Sequence, residues 1–298
     1  FAGAVAARAC GAAHARMTWG TDFFGRIREQ FLRLHGAGGG VAGGAGDPLG
    51  EWLGSLAGRY GVEFDEELTT GQFTLDQLPE AFRLPTSIPY VPVRYGVYNG
   101  ASVVPRWLWE PPAGPRVGFT LGLSAVERLA GYAVSVSEIL TALADLDVEV
   151  VATVDQATRA TLPPLPDRVR VTGFVPLAPL AATSTTLIHH GGYGTIGTTS
   201  LASVPQLLMP DQMDAIWLSR GVTSYGAGIE LEPAKASGER VVEEVRRLLG
   251  DDSYREGARR LRDDLLALPS PAEAVPTLVA LTERHRQPAV STSGGERI

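Results

Sequence analysis

From Arg116 onward, short β-branched runs alternate with helical stretches at close intervals, and no other feature limits the fold as tightly. The segments "RVGFTLGLS", "DVEVVATVD", "RVRVTGFV", "TTLIHH", "PQLLMP" and "AGIEL" read as strands. Between them "SEILTALADL", "PLAPLAAT", "TIGTTSLAS" and "QMDAIWLSRG" read as helices. A strand followed by one helix and another strand returns the chain to the same end of the sheet. Repetition of that unit gives right-handed crossovers and a parallel, doubly wound α/β sheet. Three further helices are expected near 237–249, 252–267 and 271–286.

The first 108 residues are less regular. An Ala-rich helix is expected over Phe1–Ala15, then a short strand and turn in "RMTWGTDF" and a helix carrying Phe23, Phe24, Ile27, Phe31 and Leu32. "GAGGGVAGGAG" (36–46) reads as a flexible loop. Asp47-Pro48 is a helix start, as N-cap and first-turn proline, and Gly61 a helix end. Between them Leu49, Trp52, Leu53, Leu56, Ala57 and Tyr60 form a stripe at helical spacing, expected to pack in a core. The acids Asp65, Glu66 and Glu67 read as a solvated turn. "GQFTL" and "IPYVPVRYGVY" read as strands. The expected division is an N-terminal region 1–108, a linker 109–115, a C-terminal domain 116–286 with its closing helices, and a disordered tail 287–298.

Composition narrows the function. A net charge of -7 argues against nucleic acid as the main partner. No run of apolar residues is long enough to span a membrane. The single cysteine, Cys10, leaves no internal disulfide framework and suits a reducing cytoplasm. The chain opens without Met and without a signal-peptide pattern, so it is expected to be a piece of something longer.

The stretch "TLIHHGGYGTIGTTS" concentrates the chemistry. A strand ends at His190, glycines follow at 191, 192 and 194, and a helix is expected to begin near Thr195. Ligands of a parallel sheet sit beyond the carboxyl ends of its strands. Free N–H groups and the positive end of a helix favour an anion there, and glycines let a phosphate approach the backbone. Adjacent strand residues point to opposite faces, so His189 and His190 should not share a metal ion. The Walker lysine is absent, which excludes a P-loop. "GYGTIG" (192–197) does match GxGxxG, so an NAD-dependent oxidoreductase and a purely structural turn stay open beside a phosphate cradle.

"FVPLAPLAATSTTLIHHGGYGTIGTTSLASVPQLLMPDQMDA" resembles the nucleotide-sugar signature of GT-B family 1 glycosyltransferases. "VEFDEELTTGQFTLDQLPEAFRL", "YNGASVVPRWL" and "FTLGLS" are similar to the bacterial branch that attaches deoxysugars to macrolide and aromatic polyketide antibiotics. The resemblance implies a GT-B fold of two Rossmann-like, doubly wound domains, the N-terminal one incomplete in this chain. It implies a dTDP-deoxysugar donor, a polyketide aglycone acceptor, no cofactor or metal, and in many members a cytochrome P-450-like activator protein.

Position by position, the resemblance makes His190 the contact to the donor diphosphate. Gly191, Gly192, Gly194 and Thr195 become the turn and helix start around that group, with Gly122 and Ser124 facing it from the first-strand loop. Phe174, Val175 and Pro176 match the segment lying against the base. Asp214 matches the acid that binds sugar hydroxyls, with Asp211 as a second candidate. Thr198 stands where UDP-sugar enzymes often carry a ribose-binding glutamate, which fits the 2′-deoxyribose of dTDP. Ala215 replaces a glutamine common in plant members, which fits a sugar with fewer hydroxyls. The acceptor-side base of such enzymes is expected upstream of Phe1. His14 reads as structural, and His35 and His285 as surface residues, so no catalytic base is named. A non-catalytic nucleotide- or partner-binding module is the alternative if the chain is naturally this short.

Overall fold

The computed structural model describes residues 1–36, 46–122 and 133–288. Ser124, most of the glycine-rich loop and the tail beyond 288 lie outside the described residues. The chain forms two compact units, one of residues 1–77, 83–94 and 268 onward, the other of 78–82 and 95–267.

Among the described residues, the first unit holds a three-stranded parallel sheet ordered β1 (Ala15–Met17), β2 (Phe73–Asp76), β3 (Tyr90–Pro92). Its helices before β2 are α1 (Ala2–Ala9), α2 (Phe23–Gly36), α3 (Pro48–Gly58) and α4 (Glu67–Thr70). The first helix stops at Ala9 rather than at Ala15. Gly11 turns the chain at a φ of 69°, and Ala15–Met17 is drawn into register with Phe73–Leu75. Only Tyr90–Pro92 of "IPYVPVRYGVY" is strand. Asp47 caps α3 as expected, its side chain accepting from the Gly50 N–H.

The same Asp47 and Glu66 both bind the buried Arg28 guanidinium, and Arg8 pairs with Asp65. The hydrogen bonds from Arg28 hold the Asp47 carboxyl down at about 2. The acidic triplet is therefore an ion-paired junction and a helix start at Glu67, not a solvated turn. The Trp/Leu stripe is core only in part: Leu53 and Ala57 are buried, whereas Trp52 and Tyr60 are exposed, Trp52 meeting the Phe1 ring edge-on. His35 and His285 are half-buried rather than surface residues, packing against Phe31 and Phe73 respectively.

In the second unit the strands are β4 (Arg116–Thr120), β5 (Glu149–Thr153), β6 (Val169–Thr172), β7 (Thr186–His189), β8 (Gln206–Leu208) and β9 (Gly228–Glu230). They pair in parallel in the order β6-β5-β4-β7-β8-β9. The connecting helices are α5 (Val136–Leu143), α6 (Gln156–Ala160), α7 (Leu177–Thr183), α8 (Tyr193–Leu201), α9 (Met213–Ser224), α10 (Gly238–Gly250) and α11 (Asp252–Ala267). Helices on both faces explain why the central strands carry apolar residues without alternation: Val117, Phe119, Leu187, Ile188 and Leu207 are all fully buried. Strand order reverses between β4 and β7, which opens a crevice beyond their carboxyl ends.

The boundary at 108 falls inside this second unit, whose main segment runs from 95 to 267. The Pro-rich stretch packs rather than links: Leu108 is buried against Val151, Val175 and Leu180, and Trp107 lies beneath the Arg170 guanidinium. The closing helix α12 (Pro271–His285) belongs to the first unit, where the Arg94 N–H donates to the Pro269 carbonyl and the Phe73 ring faces His285.

Candidate functional site

The two histidines part company at the end of β7. His189 is completely buried. Its Nδ1 accepts from the Gly191 N–H at 3.1 Å, so Nε2 carries the proton and donates to Gln206 Oε1 at 2.9 Å. Gln206 in turn donates to Ser200 Oγ at 3.0 Å. This chain ties β7, β8 and α8 together beneath the turn. Burial is the main cause that pushes the His189 pKa down to about 3, so the ring is neutral at pH 7.

His190 leaves on the other side, into the crevice. Its ring sits between two backbones that lack side chains. A Cβ on Gly122 would lie 2.8 Å from His190 Cε1, and one on Gly192 would lie closer still to Nε2. Gly122 and Gly191 have φ of 72° and 82°, left-handed values that favour glycine. Gly122 and His190 thus lie just beyond the ends of β4 and β7, the two strands flanking the reversal. Burial lowers the His190 pKa, and the Asp211 and Asp214 carboxylates and the Thr120 carbonyl oppose that shift. Among the described residues, His190 Nδ1 is buried with no hydrogen-bond partner.

Helix α8 begins at Tyr193, two residues before the expected start, because Gly192 is already extended and serves as N-cap. Gly194 and Thr195 therefore occupy the second and third helical positions, where backbone N–H groups have no carbonyl partner within the helix. Its N-cap, Gly192, has no side chain to cap this end, unlike those of α5, α6 and α10, which are Ser135, Asp155 and Ser237. The crevice thus offers uncapped donors, a helix dipole and an imidazole, a set suited to an anion.

Beside it, at the ends of β4, β5 and β6, lies a cleft of about 240 Å³. Phe174, Val175, Gly122, Thr120 and Thr153 line it, as do Tyr98 and Asn99. Phe174 is 58% exposed and so is no core residue, while Val175 is buried against Leu108. Pro176 is not in the lining and instead N-caps α7. Tyr98 and Asn99 open the "YNGASVVPRWL" segment of the family resemblance but are not singled out there as site residues, being polar residues in an irregular stretch. Asn99 Oδ1 accepts from the Ala178 N–H of α7, a link spanning 79 residues.

Asp214 lies in the first turn of α9, and Asp211 just before it. Asp211 is the stronger candidate than its sequence rank implied. Its Oδ1 is buried without a hydrogen-bond partner among the described residues, and its charge acts on His190 ahead of that of Asp214. Thr198 is buried, its Oγ1 3.5 Å from the Tyr95 hydroxyl. The GxGxxG spacing needs no dinucleotide to explain it: Gly192 makes room for His190 and Gly197 for the Tyr95 ring.

Family models match nearly the whole chain. The N-terminal domain described as erythromycin biosynthesis protein CIII-like covers residues 1–122, and the C-terminal domain of the same description covers 137–281. The 10-deoxymethynolide desosaminyltransferase of Streptomyces venezuelae is 46% identical over 295 residues, which is 97% of this chain and 67% of that protein. The aclacinomycin-T 2-deoxy-L-fucose transferase of Streptomyces galilaeus is 44% identical over 96% of this chain and 65% of its own length. The chain thus spans about two thirds of the curated relatives it matches. Among solved structures, the glycosyltransferase VinC in complex with dTDP aligns with a TM-score of 0.85 at 37% identity, over 94% of this chain and 69% of that one. The spinosyn forosaminyltransferase SpnP aligns with a TM-score of 0.84 at 37% identity, over 94% and 72%.

Proposed function

Because the chain belongs to the erythromycin biosynthesis protein CIII-like family of GT-B glycosyltransferases, we propose that it serves transfer of a deoxysugar from a dTDP-sugar to a hydroxyl of a polyketide aglycone, macrolide or aromatic. The observation that carries this reading is His190, held between Gly122 and Gly192 beside an uncapped helix start at the strand reversal.

The donor diphosphate lies against the free N–H groups of Gly194 and Thr195 and the His190 ring. As the bond from the anomeric carbon to the diphosphate breaks, negative charge grows on the departing dTDP. The oriented N–H groups and helix dipole lower its energy without reorganising. Burial lowers the His190 pKa in the free protein, so the ring meets the diphosphate as an N–H donor. The exposed face of Phe174 and the Tyr98–Asn99 wall of the cleft suit a pyrimidine base. Asp211 and Asp214 accept from hydroxyls or an amine of the sugar. The displacement is not a redox step, so no resident cofactor is assigned, and the single cysteine, Cys10, fits a reducing cytoplasm. An activator protein is a further partner to test by co-purification.

Calorimetric titration with dTDP, UDP and NADH, repeated on His190→Ala, tests the donor site. Binding of dTDP in preference to UDP, lost in the variant, is the expected result; NADH binding in place of dTDP would sink the proposal. With donor and aglycone in hand, Asp211→Asn and Asp214→Asn should each slow transfer by about tenfold, the usual worth of a hydrogen bond to a charged group. Unchanged kcat/KM in Asp211→Asn would remove that residue from the sugar site.

A further inference from the structure

Tyr95 opens the long segment 95–267 of the second unit, and its ring rests on α8, the helix whose start forms the anion site. The seat is a gap left by glycine. A Cβ on Gly197 would meet three atoms of the Tyr95 ring at 2.7, 2.8 and 2.9 Å, tighter than side chains tolerate. The hydroxyl donates to the Gly194 carbonyl at 3.2 Å and lies 3.5 Å from Thr198 Oγ1. The Tyr193 ring meets it edge-on at 6.1 Å. Positions 194, 197 and 198 share one face of a helix, so Tyr95 covers the flank of the first turn and leaves the N–H end free.

We propose that Tyr95 is a positioning residue for the donor diphosphate, acting through the first turn of α8 seated in the Gly194–Gly197 notch. This inference rests on the donor reading above. An N–H group that binds an anion works only if its direction is set before the ligand arrives, since ordering it afterwards subtracts from affinity. The His189–Gln206–Ser200 chain fixes α8 from the sheet side. Tyr95 fixes it from the opposite approach, through a ring that fits only because residue 197 has no side chain. The final glycine of the GxGxxG pattern therefore serves a tyrosine 102 positions earlier in the sequence, not a cofactor.

The test is dTDP titration of the full chain and its variants at a temperature where each remains folded. Tyr95→Phe keeps the ring in its seat and should bind within about threefold of wild type, since only a single neutral hydrogen bond is lost. Tyr95→Ala and Gly197→Ala, which empty or crowd the notch, should each weaken dTDP by about tenfold. The deciding result is the double variant. With Tyr95 gone, the added methyl at 197 meets no ring, so Tyr95→Ala/Gly197→Ala should bind no worse than Tyr95→Ala alone. Gly250→Ala, whose methyl faces open space at a helix end far from the site in sequence, is the control for a glycine change as such. Multiplying losses in the double variant, or full affinity in Tyr95→Ala, would overturn the inference while leaving the donor site standing. Failure of wild type itself to bind dTDP would overturn the donor reading, and this inference with it.

Discussion

Gly122→Ala is expected to weaken dTDP binding by about a hundredfold while the chain stays folded. Two costs combine. The residue has a φ of 72°, where alanine is strained by about 1–2 kcal/mol. The new methyl would also stand 2.8 Å from His190 Cε1 and 3.2 Å from Nε2. The ring cannot retreat the other way, because the Gly192 backbone closes that side. Its remaining escape is out of the crevice, and that empties the anion site of its imidazole. The fold survives because what moves is the end of a side chain rather than the sheet. Calorimetry with dTDP, beside a thermal unfolding curve, separates the two effects. Affinity within about threefold of wild type would show that this turn does not place His190.

The second large effect concerns the other histidine. His189→Leu keeps an apolar side chain in the sheet but leaves the Gly191 N–H and the Gln206 amide without their partner, both inside the protein. Stranding two buried polar groups should cost about 3 kcal/mol, read as a lower denaturant midpoint. Protonation offers an independent check. The folded pKa of about 3 lies below the unfolded value of 6.5, so the folded state excludes a proton that the unfolded chain accepts. The contribution is fully present above pH 6.5 and is lost as pH falls from there toward 3. Near roughly pH 4.5 the loss from this one group amounts to about 3 kcal/mol. In His189→Leu that part of the acid dependence should disappear. A wild-type stability flat between pH 6.5 and 4.5 would contradict the buried, neutral histidine.

The second unit was readable along the chain because its signals are local. A buried parallel strand shows itself as a run of apolar residues, and a βα turn by its glycines. All six strands and four of the five helices between them followed from those runs, while the five-residue α6 did not. The divergence of His189 and His190 also followed, from strand alternation alone. The first unit was harder, since its strands are three or four residues long and its periodicity is weak. There the Ala-rich helix ended six residues early at a glycine turn, and three acids that looked solvated were claimed by Arg8 and Arg28.

The site divides in the same way. Glycines, histidines and a helix start within one short stretch mark an anion site by residue type and spacing, and those properties belong to the sequence by itself. The sequence also carried the family resemblance, which the matched domains bear out. Only the tertiary structure decided what surrounds each group. Burial lowered the pKa of both imidazoles, Gly122 and Gly192 closed around His190, Asp211 turned a carboxylate oxygen inward, and Tyr95 took its seat on Gly197. The physical reason is the range of each interaction. Dihedral preference and hydrophobic period act over a few residues and can be read in order, whereas burial and contact join residues such as Tyr95 and Gly194, 99 positions apart.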